Sequence, residues 1–127
     1  MLYQEELMDH YKYPRNNKPI ESPDFSVSEL NPSCGDRIAI EGKIAHNIIT
    51  GLGFSGSGCV ISQATASMLT EHCMGKTVEL ALTLSKNDII AMVGLEMGPT
   101  RLKCALLSLQ VLQQGLLRTQ ENTQDKK

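Results

Sequence analysis

The chain has 127 residues, 14 acidic against 12 basic, a formal net charge of −2, and 41% hydrophobic residues with no tryptophan. That length suits one domain able to bury about two-thirds of its unfolded surface, on a core of Leu, Ile, Val, Met and Ala. The weak charge, with no basic run beyond Lys126-Lys127, gives nucleic-acid binding no electrostatic support, and no apolar stretch approaches membrane-spanning length, so neither nucleic acid nor membrane is expected as a partner.

The N-terminus, Met1 to Glu6, is acidic and lacks the basic and apolar regions of a secretory signal, so a cytoplasmic location is expected. Residues 2–12 read as a short helix with Leu2, Leu7 and Met8 apolar, stopped by Pro14 and Asn16-Asn17. A loop runs to Pro23. Phe25 and Val27, with Leu30, alternate with Ser26, Ser28 and Glu29, which predicts a half-buried strand ending at Pro32. Ile38 and Ile40 begin a second strand, and Gly42-Lys43 is expected to turn it into a third carrying Ile44, Ile48, Ile49, Leu52 and Phe54. A helix from Cys59 to about His72 follows, stopped by Gly75. Thr77 caps a short helix with Val78, Ala81 and Leu82, and Asn87 is expected to cap another, 88–93, before Gly94. The last helix, Pro99 to about Arg118, carries Leu102, Leu106, Leu109, Leu112 and Leu116 on one stripe and Leu107 and Val111 beside it. One domain over 1–118 is therefore expected, with a flexible polar tail over 119–127. Strands first and helices afterwards predict an α+β fold in which helices pack on one face of a three-stranded antiparallel sheet.

Three cysteines fall in settings suited to a thiolate, whose pKa drops beside basic groups, a metal or a helix N-terminus. Cys34 sits in the turn Asn31-Pro32-Ser33-Cys34-Gly35-Asp36, where Pro32 and Gly35 bend the backbone and Asp36 adds an oxygen donor. Cys59 follows the glycines at 51, 53, 56 and 58 and precedes a helix, where free amides and the dipole favour negative charge. Cys104 lies in the first turns of the helix opened by Gly98-Pro99. In a reducing compartment such cysteines argue for metal or catalysis over disulfides. No Cys-x-x-Cys occurs, so a site must be assembled by tertiary folding. Three sulfurs and one carboxylate make the usual four ligands of zinc or of one cluster. The competing reading of each cysteine is a small buried hydrophobe.

At these residues the chain resembles the U-type iron-sulfur cluster assembly family, comprising IscU, SufU and the N-terminal part of NifU, over nearly its whole length. The stretch Leu7-Met8-Asp9-His10-Tyr11 with Pro14-Arg15-Asn16 is similar to the family's opening helix and its exit. The loop around Cys34, the run Gly56-Ser57-Gly58-Cys59-Val60-Ile61-Ser62, and Arg101-Leu102-Lys103-Cys104-Ala105 resemble the three ligand motifs, the last in its SufU-type form. The resemblance implies a SufE/NifU-like fold. It also implies a scaffold that receives sulfur as persulfide from a cysteine desulfurase of the SufS/IscS kind, builds a transient [2Fe-2S] cluster, and hands it to recipient apo-proteins or cluster carriers. Cys34, Asp36, Cys59 and Cys104 would be its ligands, Cys104 the first persulfide acceptor, and Asp36 a weak oxygen ligand whose exchange for Ala slows release. The alternative is a SufU-type relay, a zinc-dependent sulfurtransferase in which the same four residues hold Zn2+ until one thiolate accepts sulfur. A zinc-stapled interaction module is the third class. Lys103 stands where IscU-type scaffolds have a histidine. Gly94-Leu95-Glu96-Met97-Gly98-Pro99-Thr100 stands in place of their Leu-Pro-Pro-Val-Lys chaperone segment. Only 44 residues separate Cys59 from Cys104, without the insertion many SufU-type proteins carry there.

The remaining candidates have structural readings. Cys73 is structural or exposed, His72 a solvated helix-terminal residue, His46 a half-exposed strand residue, and His10 a packing or desulfurase-contact residue. Lys103 either lowers the Cys104 pKa by its charge or points to solvent.

Overall fold

The computed structural model describes residues 2–32 and 35–125, excluding the side chains of 2–4 and 121–125. The elements are α1 (Leu2–Lys12), β1 (Phe25–Asn31), β2 (Asp36–Ala45), β3 (Ile48–Ser57), α2 (Val60–Cys73), α3 (Val78–Thr83), α4 (Lys86–Val93) and α5 (Pro99–Asp125). The three strands form one antiparallel sheet in the order β1-β2-β3. No described helix is long and apolar enough to cross a membrane.

Alternation along the strands decides which side of the sheet is covered. Phe25, Val27, Ile38, Ile40, Leu52 and Phe54 are buried on one face, while Ser26, Ser28, Arg37 and Ser55 are exposed on the other. Helices α2 and α5 lie on the apolar face, α1 packs on α2, and α3 and α4 pack on α5, giving the expected α+β layering. Asp36 opens β2 on the buried side, in phase with Ile38 and Ile40. Its carboxylate therefore points under the helices rather than into water. Leu30, read as part of the apolar face, falls on the opposite parity and is 56% exposed.

The hairpin turn is not at Gly42-Lys43. β2 runs on to Ala45, and the reversal is made by His46 and Asn47, whose φ values are +52° and +66°. Two consecutive left-handed residues match the right-handed twist of the flanking strands, and the ladder shifts register between Lys43 and Ile44. His46 thus lies in the turn and is exposed. Gly42 belongs to the strand because Phe25 packs there: a Cβ at Gly42 would overlap the Phe25 ring, and one at Gly115 of α5 would overlap it from the other side.

The helix stops follow local chemistry with two corrections. Thr77 caps α3 as expected, accepting from the Leu80 N–H at 3.2 Å. The α4 cap is Ser85 rather than Asn87, because Ser85 and Asp88 bond reciprocally as a capping box. α5 continues past Arg118 to Asp125, since no glycine or proline interrupts the polar end. Its burial explains the apolar girth read from sequence: Ala105, Val111, Leu112 and Leu116 are all fully buried, against the sheet on one side and helices on the other.

Candidate metal centre

The centre forms where the buried face of the sheet meets the starts of α2 and α5. Asp36 opens β2, Cys59 is the N-cap of α2, and Cys104 is the sixth residue of α5. Offering one ligand atom each, these three side chains lie within 4.8 Å of one another, the only such group of His, Cys, Asp and Glu among the described residues. Cys34, the first ligand read from the sequence, lies outside the described residues.

Asp36 is 1% exposed, and its two oxygens have different neighbours. Oδ1 accepts the Cys59 backbone N–H at 2.9 Å. Oδ2 accepts the Cys59 thiol at 3.2 Å. Oδ1 is thus engaged by backbone, and Oδ2 is the oxygen that faces the Cys59 sulfur. Ser62, fully buried, donates to the Cys59 carbonyl at 3.1 Å and lies 3.9 Å from its sulfur. Gly58 has φ +125°, and the Asp36 carboxylate occupies the space where its Cβ would be.

The donors fit a tetrahedral ion or one iron of a cluster. With metal–sulfur and metal–oxygen bonds of about 2.3 and 2.0 Å, neighbouring ligand atoms lie roughly 3.3–3.8 Å apart, so the observed group needs only a small contraction. The set is mixed in softness: two thiolates suit zinc or iron-sulfur chemistry and the carboxylate is the hard member. Cys104 is 3% exposed, which leaves the half-buried Cys59 sulfur as the more open of the two.

The sequence reading of the thiolate settings changes in detail. Cys59 does sit at the helix start, but its sulfur makes no capping bond to the α2 amides; it turns instead to the Asp36 carboxylate. Cys104 is past the first turn of α5, where the helix dipole has largely faded. Lys103 and Arg101 are exposed, in keeping with Lys103 pointing to solvent.

The other candidates lie elsewhere. Cys73 is fully buried at the end of α2, and burial pushes its thiol up to about 11, with Lys76 opposing. His72 is at that same end, about 20 Å from Cys59 along the helix at 1.5 Å per residue. It lines a polar cleft with Glu6, His10, Glu71 and Lys76. His10 is a packing residue: its Nδ1 is 2.7 Å from the Ser67 hydroxyl, which also accepts the Arg15 N–H at 2.8 Å. Arg15 in turn bridges Asp9 at 2.6 Å and Glu71 at 3.6 Å. Burial, then the Arg15 charge, lowers the His10 pKa, while Glu71, Asp9 and Glu6 oppose. This network fastens α1 and its exit to the middle of α2. Gly58 and Ser62 are the site residues that sequence reasoning saw only as motif letters, since their contacts with Asp36 and Cys59 are matters of tertiary placement.

The model of the NifU-like N-terminal domain family matches residues 2–126. Among curated relatives, a zinc-dependent sulfurtransferase SufU of Bacillus subtilis is 39% identical, covering 92% of this chain and 90% of its own length. An iron-sulfur cluster assembly scaffold protein IscU of Archaeoglobus fulgidus is 32% identical over 91% of this chain and 75% of its own. The crystal structure of the N-terminal part of a nitrogen-fixing NifU-like protein from Brucella abortus has the same fold, with a TM-score of 0.77 at 15% identity over 94% of each chain.

Proposed function

The chain belongs to the NifU-like N-terminal domain family, and from that premise we propose that it is an iron-sulfur cluster assembly scaffold. In this reading Cys34, Asp36, Cys59 and Cys104 hold a [2Fe-2S] cluster as cargo, assembled from iron and desulfurase-derived sulfur and passed to apo-proteins. The observation that carries the reading is the gathering of Asp36, Cys59 and Cys104 within 4.8 Å at the buried end of the sheet. Sulfur arrives when a thiolate, Cys104 in the first instance, attacks the outer sulfur of the desulfurase persulfide. One S–S bond forms as another breaks, and the desulfurase thiolate leaves. Reduction of each delivered sulfur to sulfide takes two electrons from a reductant of the thiol or ferredoxin class. Asp36 then serves as the labile member of the ligand set, because a hard oxygen holds a soft cluster less firmly than a thiolate does.

The second reading, a zinc-dependent sulfur relay, is favoured by the 39% identity to the Bacillus subtilis sulfurtransferase. It uses the same four side chains, with zinc in place of the cluster until a thiolate leaves to accept sulfur. Against it, the alignment with that relative runs to 134 positions, more than the 127 residues of this chain, so the relative has residues that this chain lacks. Anaerobic incubation with a cysteine desulfurase, cysteine, ferrous iron and a thiol reductant tests the two together. A scaffold gathers iron and acid-labile sulfide and loads an apo-ferredoxin. A relay keeps stoichiometric zinc and accelerates the desulfurase, its sulfur leaving to the thiol reductant as free sulfide rather than staying with iron on the chain. If neither a persulfide on this chain nor faster desulfurase turnover is seen, both readings fail.

A further inference from the structure

We propose that Gly58 is the positioning residue that makes Asp36 a one-oxygen ligand, an inference that rests on the metal-site reading above. Asp36 has 1% of its surface exposed, so its carboxylate needs a cavity of matching shape. That cavity is the missing side chain of Gly58: a Cβ there would overlap Oδ1 and stand 2.7 Å from Cγ and 2.9 Å from Cα of Asp36. The φ of +125° at Gly58 is a backbone conformation that residues with a Cβ rarely adopt, and it leads directly into the Cys59 N–H that bonds Oδ1 at 2.9 Å.

Both features act on the same oxygen. Oδ1 is wedged against the glycine and bonded to backbone, and Oδ2 stands 3.2 Å from the Cys59 sulfur, inside the Asp36–Cys59–Cys104 group. A side chain at position 58 would drive the carboxylate out of this cavity and withdraw the oxygen, with both cysteines still present to supply thiolates. Gly56 supplies the contrast. A Cβ there would meet the Arg37 carbonyl at 2.5 Å and the Ile38 side chain at 2.7 Å, damaging the sheet without touching the Asp36 carboxylate.

Cobalt(II) titration of the full metal-free chain tests this, because the charge-transfer bands count thiolates and the visible ligand-field bands report the oxygen. Gly58→Ala is expected to retain the thiolate bands and to shift the ligand-field bands to those of Asp36→Ala. Its cobalt affinity falls about 10–100-fold, the usual cost of losing a group that orients a ligand. In the Asp36→Ala background the same glycine exchange changes neither bands nor affinity, whereas a merely structural role would weaken both backgrounds alike. Gly56→Ala lowers thermal stability but leaves the bands of the bound ion unchanged. Should Gly58→Ala fail to fold, Asp36→Glu asks the same question: the longer carboxylate does not fit the glycine cavity, and the oxygen signature disappears although a carboxylate remains. Wild-type bands in Gly58→Ala, or in Asp36→Glu, overturn the assignment. Absence of thiolate bands in the wild-type chain overturns the metal-site reading itself, and the assignment with it.

Discussion

Cys59→Ser separates metal holding from folding. In the metal-free chain the thiol donates to Asp36 Oδ2 at 3.2 Å, and a serine hydroxyl donates in the same direction, so the metal-free unfolding midpoint should move by less than the equivalent of about 1 kcal/mol. The metal-bound state is different. Structural zinc sites contribute about 10–16 kcal/mol over four ligands, roughly 2.5–4 kcal/mol for each. Losing one thiolate therefore costs about 10²–10³ in affinity at about 1.4 kcal/mol per tenfold. Stabilisation by a ligand follows its affinity, and in a domain of this size 1 kcal/mol corresponds to about 4 °C in Tm. The zinc-induced rise in Tm should thus shrink by about 10–15 °C at fixed excess zinc. Differential scanning calorimetry with and without zinc measures it. Cys73→Ser is the control: Cys73 is fully buried and outside the site, so its exchange should lower Tm equally with and without metal. A full zinc-induced rise in Cys59→Ser would refute the reasoning.

Three further expectations follow from the same contacts. Asp36→Ala removes the hard oxygen that is the labile member of the ligand set, so the reconstituted cluster should survive longer in the presence of a chelator; faster loss than in the parent contradicts this. Gly115→Ala gains about 1 kcal/mol in helix propensity but overpacks Phe25, which is 6% exposed and hemmed in by Gly42 on its other side. Overpacking costs about 1–3 kcal/mol, so urea unfolding should show a net loss, and a more stable variant would refute the close packing. His10 has its pKa lowered from 6.5 by burial and Arg15. As pH falls through that value the unfolded chain takes up the proton first, so the folded state loses stability on acidification and keeps it above. His10→Gln should flatten the stability profile below about pH 6.5, as read by urea midpoints, and an unchanged slope would show that His10 is not its source.

Much of the site was legible because its signals are local. Pro32 and Gly35 around the first motif, the glycine run before Cys59 and Gly98-Pro99 before Cys104 each announce a chain break at the end of an element. The parity of Asp36 with Ile38 and Ile40 points its carboxylate to the core side. What failed were turn and cap positions settled by packing and pairing. The turn expected at Gly42-Lys43 moves to His46-Asn47 because Phe25 packs over Gly42. The cap expected at Asn87 moves to Ser85 because Ser85 pairs with Asp88. The fit of Asp36 against Gly58 and the His10–Ser67 bond join residues 22 and 57 positions apart, and no pattern along the chain encodes such contacts.

The most direct measurement is X-ray absorption at the metal edge of the loaded wild-type chain. The expected spectrum has a thiolate shell at about 2.3 Å together with one light-atom ligand, the sulfur shell thinning in Cys59→Ser and Cys104→Ser and the oxygen vanishing in Asp36→Ala. A shell of oxygen or nitrogen alone, unchanged in both cysteine variants, would contradict the proposal that these side chains form one coordination sphere.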